Sequence, residues 1–315
     1  MIIVIGHLNP DTDNVAASIA MANLLKTQEK EAAAFKKGNL NKESVFALQF
    51  SGLENQIGDL PESATAGDNA FFFVDLNEES QAPVEPEKVK LLGLVDHHKL
   101  GGKWQTNEPI MFRVEPVGST STLLCKMYRE KNLEFTPAIA KLLLCGIISD
   151  TLKLTSPTTT DEDKIWAGIL TKQIGANIDE LADQLFEQKS DLSEFTPEEV
   201  AKLDYKVFDF SGKKVGIGVI ETVKPSNAKK IEKELKEAIQ KMKAADKLDY
   251  VLLGIVDILN NETEMLIISE EVKDLIMKSF SDIVIREDNL VLKGVVSRKK
   301  QIVPALEKTL KLHKS

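Results

Sequence analysis

Four short apolar runs, at residues 2–5, 71–74, 91–95 and 111–114, alternate with helix-period stretches that begin at Val15, Ser119 and Pro137. The runs are rich in valine, isoleucine, leucine and phenylalanine and, apart from Arg113, free of polar side chains. Strands of that kind are covered on both faces, which predicts an α/β fold whose sheet is largely parallel and flanked by helices. Catalytic groups on such sheets gather beyond the carboxyl ends of the strands. Here His7, Asp75 and the triplet Asp96-His97-His98 each follow an apolar run directly or within two residues.

A chain of 315 residues exceeds what one core usually organises, so two domains are expected. The polar segment 188–197 reads as the linker, giving domains at 1–189 and 190–315. Beyond it, strands near 206–210 and 215–220, a helix near 226–245 and strands at 250–256 and 265–268 predict a smaller C-terminal α/β domain with its own sheet. With 43% hydrophobic and 28% charged residues the chain is neither disordered nor membrane-like, and no apolar run approaches the roughly 20 residues a membrane helix needs. Residues 1–6 run straight into His7 without a basic leader, and the only two cysteines, Cys125 and Cys145, lie in apolar helical patterns without metal or redox spacing. A cytoplasmic protein with no membrane partner is expected. A net charge of −9 disfavours nucleic acid as a partner, though a local basic cluster can hold a small anion.

The segment from Gly6 to Asp13 (GHLNPDTD) places one imidazole and two carboxylates on a turn between a strand and a helix. Oxygen and imidazole donors of this kind suit Mn, Fe, Co or Zn; the alternative is an Asx-rich turn whose Asp caps the helix. Asp75, directly after a strand, is a single carboxylate able to bridge two cations, although Asp ends many strands without such a role. Adjacent histidines after a strand are less common, and three of the chain's four histidines lie in these two motifs. Side chains of neighbouring residues diverge in an extended segment, so His97 can ligate a metal while His98 faces a substrate, with Asp96 fixing an imidazole tautomer. Asp150 closes a further apolar helical stretch, where it also fits as a helix terminator. Arg298, Lys299 and Lys300 form a basic run that by composition alone is a solvated face.

This order of motifs resembles the DHH phosphoesterases, and specifically the family II, manganese-dependent inorganic pyrophosphatases, over nearly the whole chain. The resemblance implies a DHH domain followed by a DHHA2-like domain, with the active site in the cleft between them. It implies that His7, Asp11 and Asp75 bind one metal and Asp13, Asp75, His97 and Asp150 the other. His98, Lys206, Arg298 and Lys299 would bind substrate and act in catalysis. It implies hydrolysis of pyrophosphate to two phosphates by a hydroxide shared between two Mn²⁺ ions per subunit, with Co²⁺ a substitute and Mg²⁺ accompanying the substrate, in a homodimer formed through the N-terminal domain. Arginine grips phosphate oxygens bidentately and lysine adds a compact charge, which suits so anionic a substrate.

One departure stands out: Leu76 follows Asp75 where the family more commonly has histidine, so a polar contact beside the metal is expected to be missing. The nearest alternative is another DHH phosphoesterase such as an exopolyphosphatase. A nucleic-acid phosphodiesterase of the superfamily would carry a GGGH-like motif, which this chain lacks. A non-enzymatic nucleotide sensor would call for an inserted module or missing ligands.

Overall fold

The computed structural model describes residues 1–66, 68–100, 105–106 and 108–312. The chain folds as two compact units, Met1–Gln188 and Lys189–Ser315. In the first unit the elements are β1 (Ile2–Ile5), α1 (Thr12–Lys26), β2 (Ala32–Lys36), α2 (Lys42–Ser51), β3 (Ile57–Asp59), β4 (Ala70–Val74), β5 (Lys90–Asp96), β6 (Met111–Val114), α3 (Thr120–Glu130), α4 (Pro137–Asp150), α5 (Asp161–Ile174) and α6 (Ile178–Lys189). All six strands are parallel, in the order β3-β2-β1-β4-β5-β6. The chain therefore builds outward from β1 to β3 and returns to β4 on the other side of β1. The topological switch lies between β1 and β4, and open parallel sheets bind ligands outside that point.

The four expected strands are present to within a residue at each end. β2 and β3 were not legible: Ala32-Ala-Ala-Phe-Lys36 is a poor strand former by propensity, and it is extended because it is hydrogen-bonded between β1 and β3. β4 is buried along its whole length, as a central parallel strand must be. α1 and α4 are nearly as buried, so neither has a polar face to display and their apolar composition follows.

The second unit comprises α7 (Pro197–Lys202), β7 (Tyr205–Phe210), β8 (Lys213–Thr222), α8 (Ser226–Lys229), α9 (Glu232–Ala245), β9 (Tyr250–Asp257), β10 (Glu262–Met265), α10 (Glu270–Ser279), β11 (Ile283–Arg286), β12 (Asn289–Lys293), a π-helical turn (Arg298–Ile302) and α11 (Val303–Leu312). Its sheet, ordered β11-β12-β10-β9-β8-β7, is mixed, with β8 and β9 parallel and the other pairs antiparallel. Two expectations shift here. The helix expected over 226–245 is two helices, and at the break Lys229 pairs with Glu232 at 2.6 Å and with Glu264. The strand expected at 265–268 lies earlier, at Glu262–Met265, because Ile267 N donates to the Asn289 side chain (3.2 Å) instead of to a strand. Among the described residues no helix is long and apolar enough to cross a membrane.

Candidate metal centre

β1 and β4 deliver His7 and Asp75 to the switch point. Asp11 is the N-cap of α1: its Oδ1 accepts from Asn14 N at 3.0 Å, while its Oδ2 lies 3.7 Å from His7 Nε2. Asp11 therefore caps the helix through one oxygen and turns the other toward His7. His7 Nδ1 is 2.9 Å from the Leu8 carbonyl, which can only accept, so Nδ1 carries a proton, and Nε2, the nitrogen left for a cation, lies 3.5 Å from Asp75 Oδ2.

Asp75 is buried and has φ +54°, a left-handed conformation costly for any residue but glycine. Its amide still donates to Val95 O at 2.8 Å, so the strained turn is anchored to β5. Its Oδ1 accepts from Thr120 Oγ1 at 2.8 Å and lies 3.5 Å from His97 Nε2. His97 is held like His7, with Nδ1 on a carbonyl, that of Val117 at 3.0 Å, and its Nε2 lies 3.4 Å from Asp150 Oδ2.

Asp13, in the first turn of α1, is fully buried against the start of α3. Ser119 Oγ (2.7 Å), Ser121 Oγ (2.5 Å) and Ser121 N (3.0 Å) donate to its Oδ1, and Thr120 N donates to Oδ2 at 2.6 Å. A helix N-terminus is a natural seat for a carboxylate. Asp150 is the last residue of α4, and ligand atoms of Asp13, His97 and Asp150 lie within 4.8 Å of one another, as do those of His7, Asp11 and Asp75. Gly146 permits this approach: a Cβ there would fall 2.3 Å from Ser121 Oγ and 2.7 Å from Asp13 Oδ1.

The charge balance is strained in a way that fits a cation. Burial alone would lower the pKa of His7, but Asp11 and Asp75 outweigh it and hold the imidazole up to about 11. Burial likewise opposes protonation of His97, yet Asp150, Asp13 and Asp75 raise it to about 10. Burial and the Asp75 charge push Asp13 up to about 6, and burial and the Asp13 charge raise Asp150 well above the carboxylate range. Asp75 Oδ2 and His97 Nε2 are buried without a hydrogen bond among the described residues. Their nearest polar neighbours stand off at 3.4 to 3.5 Å, too far for good hydrogen bonds and suited to donors converging on a shared ion. The donors, imidazole nitrogen and carboxylate oxygen without thiolate, suit Mn²⁺.

Asp96 fixes an imidazole as expected, that of His98: its Oδ1 is 2.9 Å from His98 Nδ1 and also accepts from the amides of His97 (2.7 Å) and His98 (3.2 Å). The two imidazoles do not diverge as expected, since their ring centroids are 4.2 Å apart and His98 Nδ1 comes within 3.7 Å of Asp75 Oδ1. The reason is the turn out of β5, where Asp96 Oδ1 gathers both amides. His98 is half exposed. Leu76 does not leave a hole beside the site: it is 2% exposed in an apolar cluster with Ile3, Ile5, Phe71, Phe73 and Leu94. The polar contact is made one residue later, where Asn77 Nδ2 donates to Asp96 Oδ2 and, at 3.3 Å, to the His98 carbonyl.

In the second unit Arg298 is not a solvated charge. Its side chain is 10% exposed, with Nη2 2.6 Å from Asp204 Oδ1 and Nη1 donating to the Asp204 carbonyl at 2.6 Å and toward the Ile217 carbonyl at 3.5 Å. Ile217 is the residue paired with Lys206 across β7 and β8, so Arg298 and Lys206 share one end of the sheet edge. Lys206, Lys299 and Lys300 are exposed.

Two family models match the chain: the DHH family, N-terminal domain, over residues 1–147, and the DHHA2 domain over residues 183–309. The Bacillus subtilis protein named manganese-dependent inorganic pyrophosphatase is 39% identical over 305 residues, covering 97% of each chain. The protein of the same name from Methanocaldococcus jannaschii is 36% identical, over 97% of this chain and 98% of its own. The chain belongs to the manganese-dependent inorganic pyrophosphatase family.

A solved structure from Methanococcus jannaschii, described as a candidate family II inorganic pyrophosphatase, superposes with a TM-score of 0.63 at 35% identity, over 99% of this chain and 100% of the other. Several supporting groups were not visible as such in the sequence: Ser119, Thr120, Ser121, Asn77, Gly146 and the Val117 carbonyl. The serine-threonine run at the start of α3 is a helix-capping signature that could have drawn attention; the backbone carbonyl could not.

Proposed function

We propose that the chain hydrolyses inorganic pyrophosphate to two phosphates at a two-cation centre. The observation that carries this reading is the convergence of His7, Asp11, Asp13, Asp75, His97 and Asp150, with two buried donor atoms lacking hydrogen bonds, in a chain 36–39% identical to manganese-dependent pyrophosphatases. His7, Asp11 and Asp75 would hold one Mn²⁺, and Asp13, Asp75, His97 and Asp150 the other, with Asp75 contributing an oxygen to each. Bound there, two such cations supply a water of lowered pKa as nucleophile and neutralise developing charge on the phosphates.

The chain's own groups then have distinct tasks. The carbonyls of Leu8 and Val117 fix the tautomers of His7 and His97. Asp96 orients His98, whose Nε2 edge is left to donate to a phosphate oxygen. Its pKa is raised, first by the Asp96 hydrogen bond and against burial, which favours the protonated form that suits an anionic substrate. Arg298, Lys206 and Lys299 would grip the phosphates as a cationic clamp, their fixed charges stabilising the loose, highly charged transition state. Residues 1–189 would thus act as the metal-binding catalytic domain and 190–315 as the substrate-binding domain. Two Mn²⁺ per subunit, Co²⁺ as a substitute, Mg²⁺ entering with substrate, a cytoplasmic location and a homodimer through the first domain belong to the same reading.

The test is phosphate release by metal-stripped protein after adding Mn²⁺ with Mg²⁺ present. Pyrophosphate, tripolyphosphate, long-chain polyphosphate and a dinucleotide are run in parallel. Turnover of pyrophosphate alone is expected; turnover of a longer or nucleotide substrate with pyrophosphate inert would sink the substrate assignment. Sedimentation of the same sample checks the dimer.

A further inference from the structure

The start of α1 and the end of α4, which present Asp13 and Asp150, meet at a carboxylate belonging to neither helix. Glu43 lies in the first turn of α2 and is 1% exposed. One of its oxygens, Oε2, accepts from Thr12 Oγ1 at 3.0 Å and from Ser149 Oγ at 2.9 Å. Thr12 sits between Asp11 and Asp13, and Ser149 immediately precedes Asp150. Glu43 itself is in none of the groups of side chains that could hold a metal.

We infer that Glu43 is a positioning residue that sets the register between α1 and α4 and thereby the spacing of Asp13 and Asp150; this rests on the metal centre proposed above. The two residues of each pair are adjacent on a helix and point about 100° apart, so fixing the hydroxyl of Ser149 fixes the azimuth of Asp150, and fixing Thr12 does the same for Asp13. Helix ends are where intrahelical hydrogen bonds run out, so such an outside tether matters most there. One turn earlier on the same face, Gly146 lies close against Ser121 and Asp13, so the end of α4 is constrained at two successive turns. Burying a carboxylate is costly, and an apolar side chain would fill the space at less cost. What only an acceptor supplies is one oxygen shared by hydroxyls from two helices.

The experiment compares full-length wild type with Glu43→Gln and Glu43→Met, each metal-stripped. It reads Mn²⁺ uptake from the free-Mn²⁺ EPR signal, kcat and KM for pyrophosphate, and the melting temperature. Both hydroxyls use the same oxygen, so the single carbonyl oxygen of glutamine can serve both, and E43Q should stay within about threefold of wild type. E43M should lose about 10- to 100-fold in affinity at one of two Mn²⁺ sites and lose kcat with KM little changed, the size typical of groups that orient metal ligands. Equal Mn²⁺ affinity and kcat in wild type and E43M would overturn the inference, as would a lower melting temperature with unchanged Mn²⁺ affinity. Should E43M not fold, Ser149→Ala removes one hydroxyl with little disturbance; a wild-type Mn²⁺ isotherm for S149A overturns the inference and a weakened one supports it. Failure of the proposed function is distinguishable, because it would appear in the unmutated chain as absent Mn²⁺ uptake or absent pyrophosphate hydrolysis.

Discussion

Asp13 and Asp75 are joined through one residue: the amide of Thr120 donates to Asp13 Oδ2 at 2.6 Å and its hydroxyl donates to Asp75 Oδ1 at 2.8 Å. The first turn of α3 thus orients a carboxylate from the start of α1 and another from the end of β4, two segments with no covalent reason to be in register.

Thr120→Val keeps the amide and the shape but removes the hydroxyl. Asp75 should lose its orientation while Asp13 keeps its own, lowering Mn²⁺ affinity about tenfold; Asp75→Asn, which alters the shared donor itself, should cost at least about 100-fold. Titration of stripped protein with Mn²⁺ checks both, and a Thr120→Val isotherm matching wild type would discount the tether.

Metal uptake should release protons. His7 and His97 are held up to about 11 and about 10 in the metal-free chain, and Asp13 up to about 6, whereas metal ligation needs all three deprotonated. Groups with raised folded-state pKa contribute stability below their unfolded values and lose it as pH rises through the folded ones. The stripped protein should therefore melt at progressively lower temperature as pH rises from about 6.5 toward 10, and Mn²⁺ affinity should rise over the same range. Calorimetry at neutral pH in buffers of different ionisation enthalpy should register on the order of two protons released per chain; none released would refute the protonation pattern.

Gly146→Ala adds a methyl where Ser121 Oγ and Asp13 Oδ1 already stand. Overpacking of this kind costs roughly 1–3 kcal/mol, and here the strain falls on a proposed ligand. Both melting temperature and Mn²⁺ affinity should drop. Gly168, an exposed helix position with open space around it, offers the control: alanine there should leave Mn²⁺ binding unchanged.

Arg298→Lys retains the charge but cannot make the two contacts that anchor the guanidinium to Asp204. KM for pyrophosphate should rise about tenfold, by an amount close to that of Arg298→Ala, since each loses the forked geometry. Steady-state kinetics over a range of pyrophosphate concentrations decides it; a lysine variant with wild-type KM would mean that charge alone suffices.

What the sequence disclosed follows from where the information resides. Strands 2–5, 71–74, 91–95 and 111–114 advertise themselves by apolar runs, and histidine or aspartate after them marks the site, because both patterns are local. β2 stayed hidden because its alanines are extended only through their neighbours in the sheet. Which imidazole Asp96 holds was open in the sequence for a similar reason: His97 is fixed by the carbonyl of Val117, twenty residues away, and no side-chain pattern reports on a carbonyl. Leu76 itself is packed in the apolar cluster under the sheet, while the neighbouring Asn77 bonds to Asp96, a pairing that no local pattern reports.

The burial of Asp13 under hydrogen bonds from three successive residues, set against the nearly half-exposed side chain of Asp11, gives the two ends of the site unequal stiffness. In the proposed centre the Asp13 end would hold its own spacing against an arriving ion, and so would select by radius. The Asp11 end can yield by swinging a carboxylate that water already reaches. Exchange of one metal for another would then proceed in graded fashion, with one tolerant seat and one discriminating seat sharing Asp75 between them.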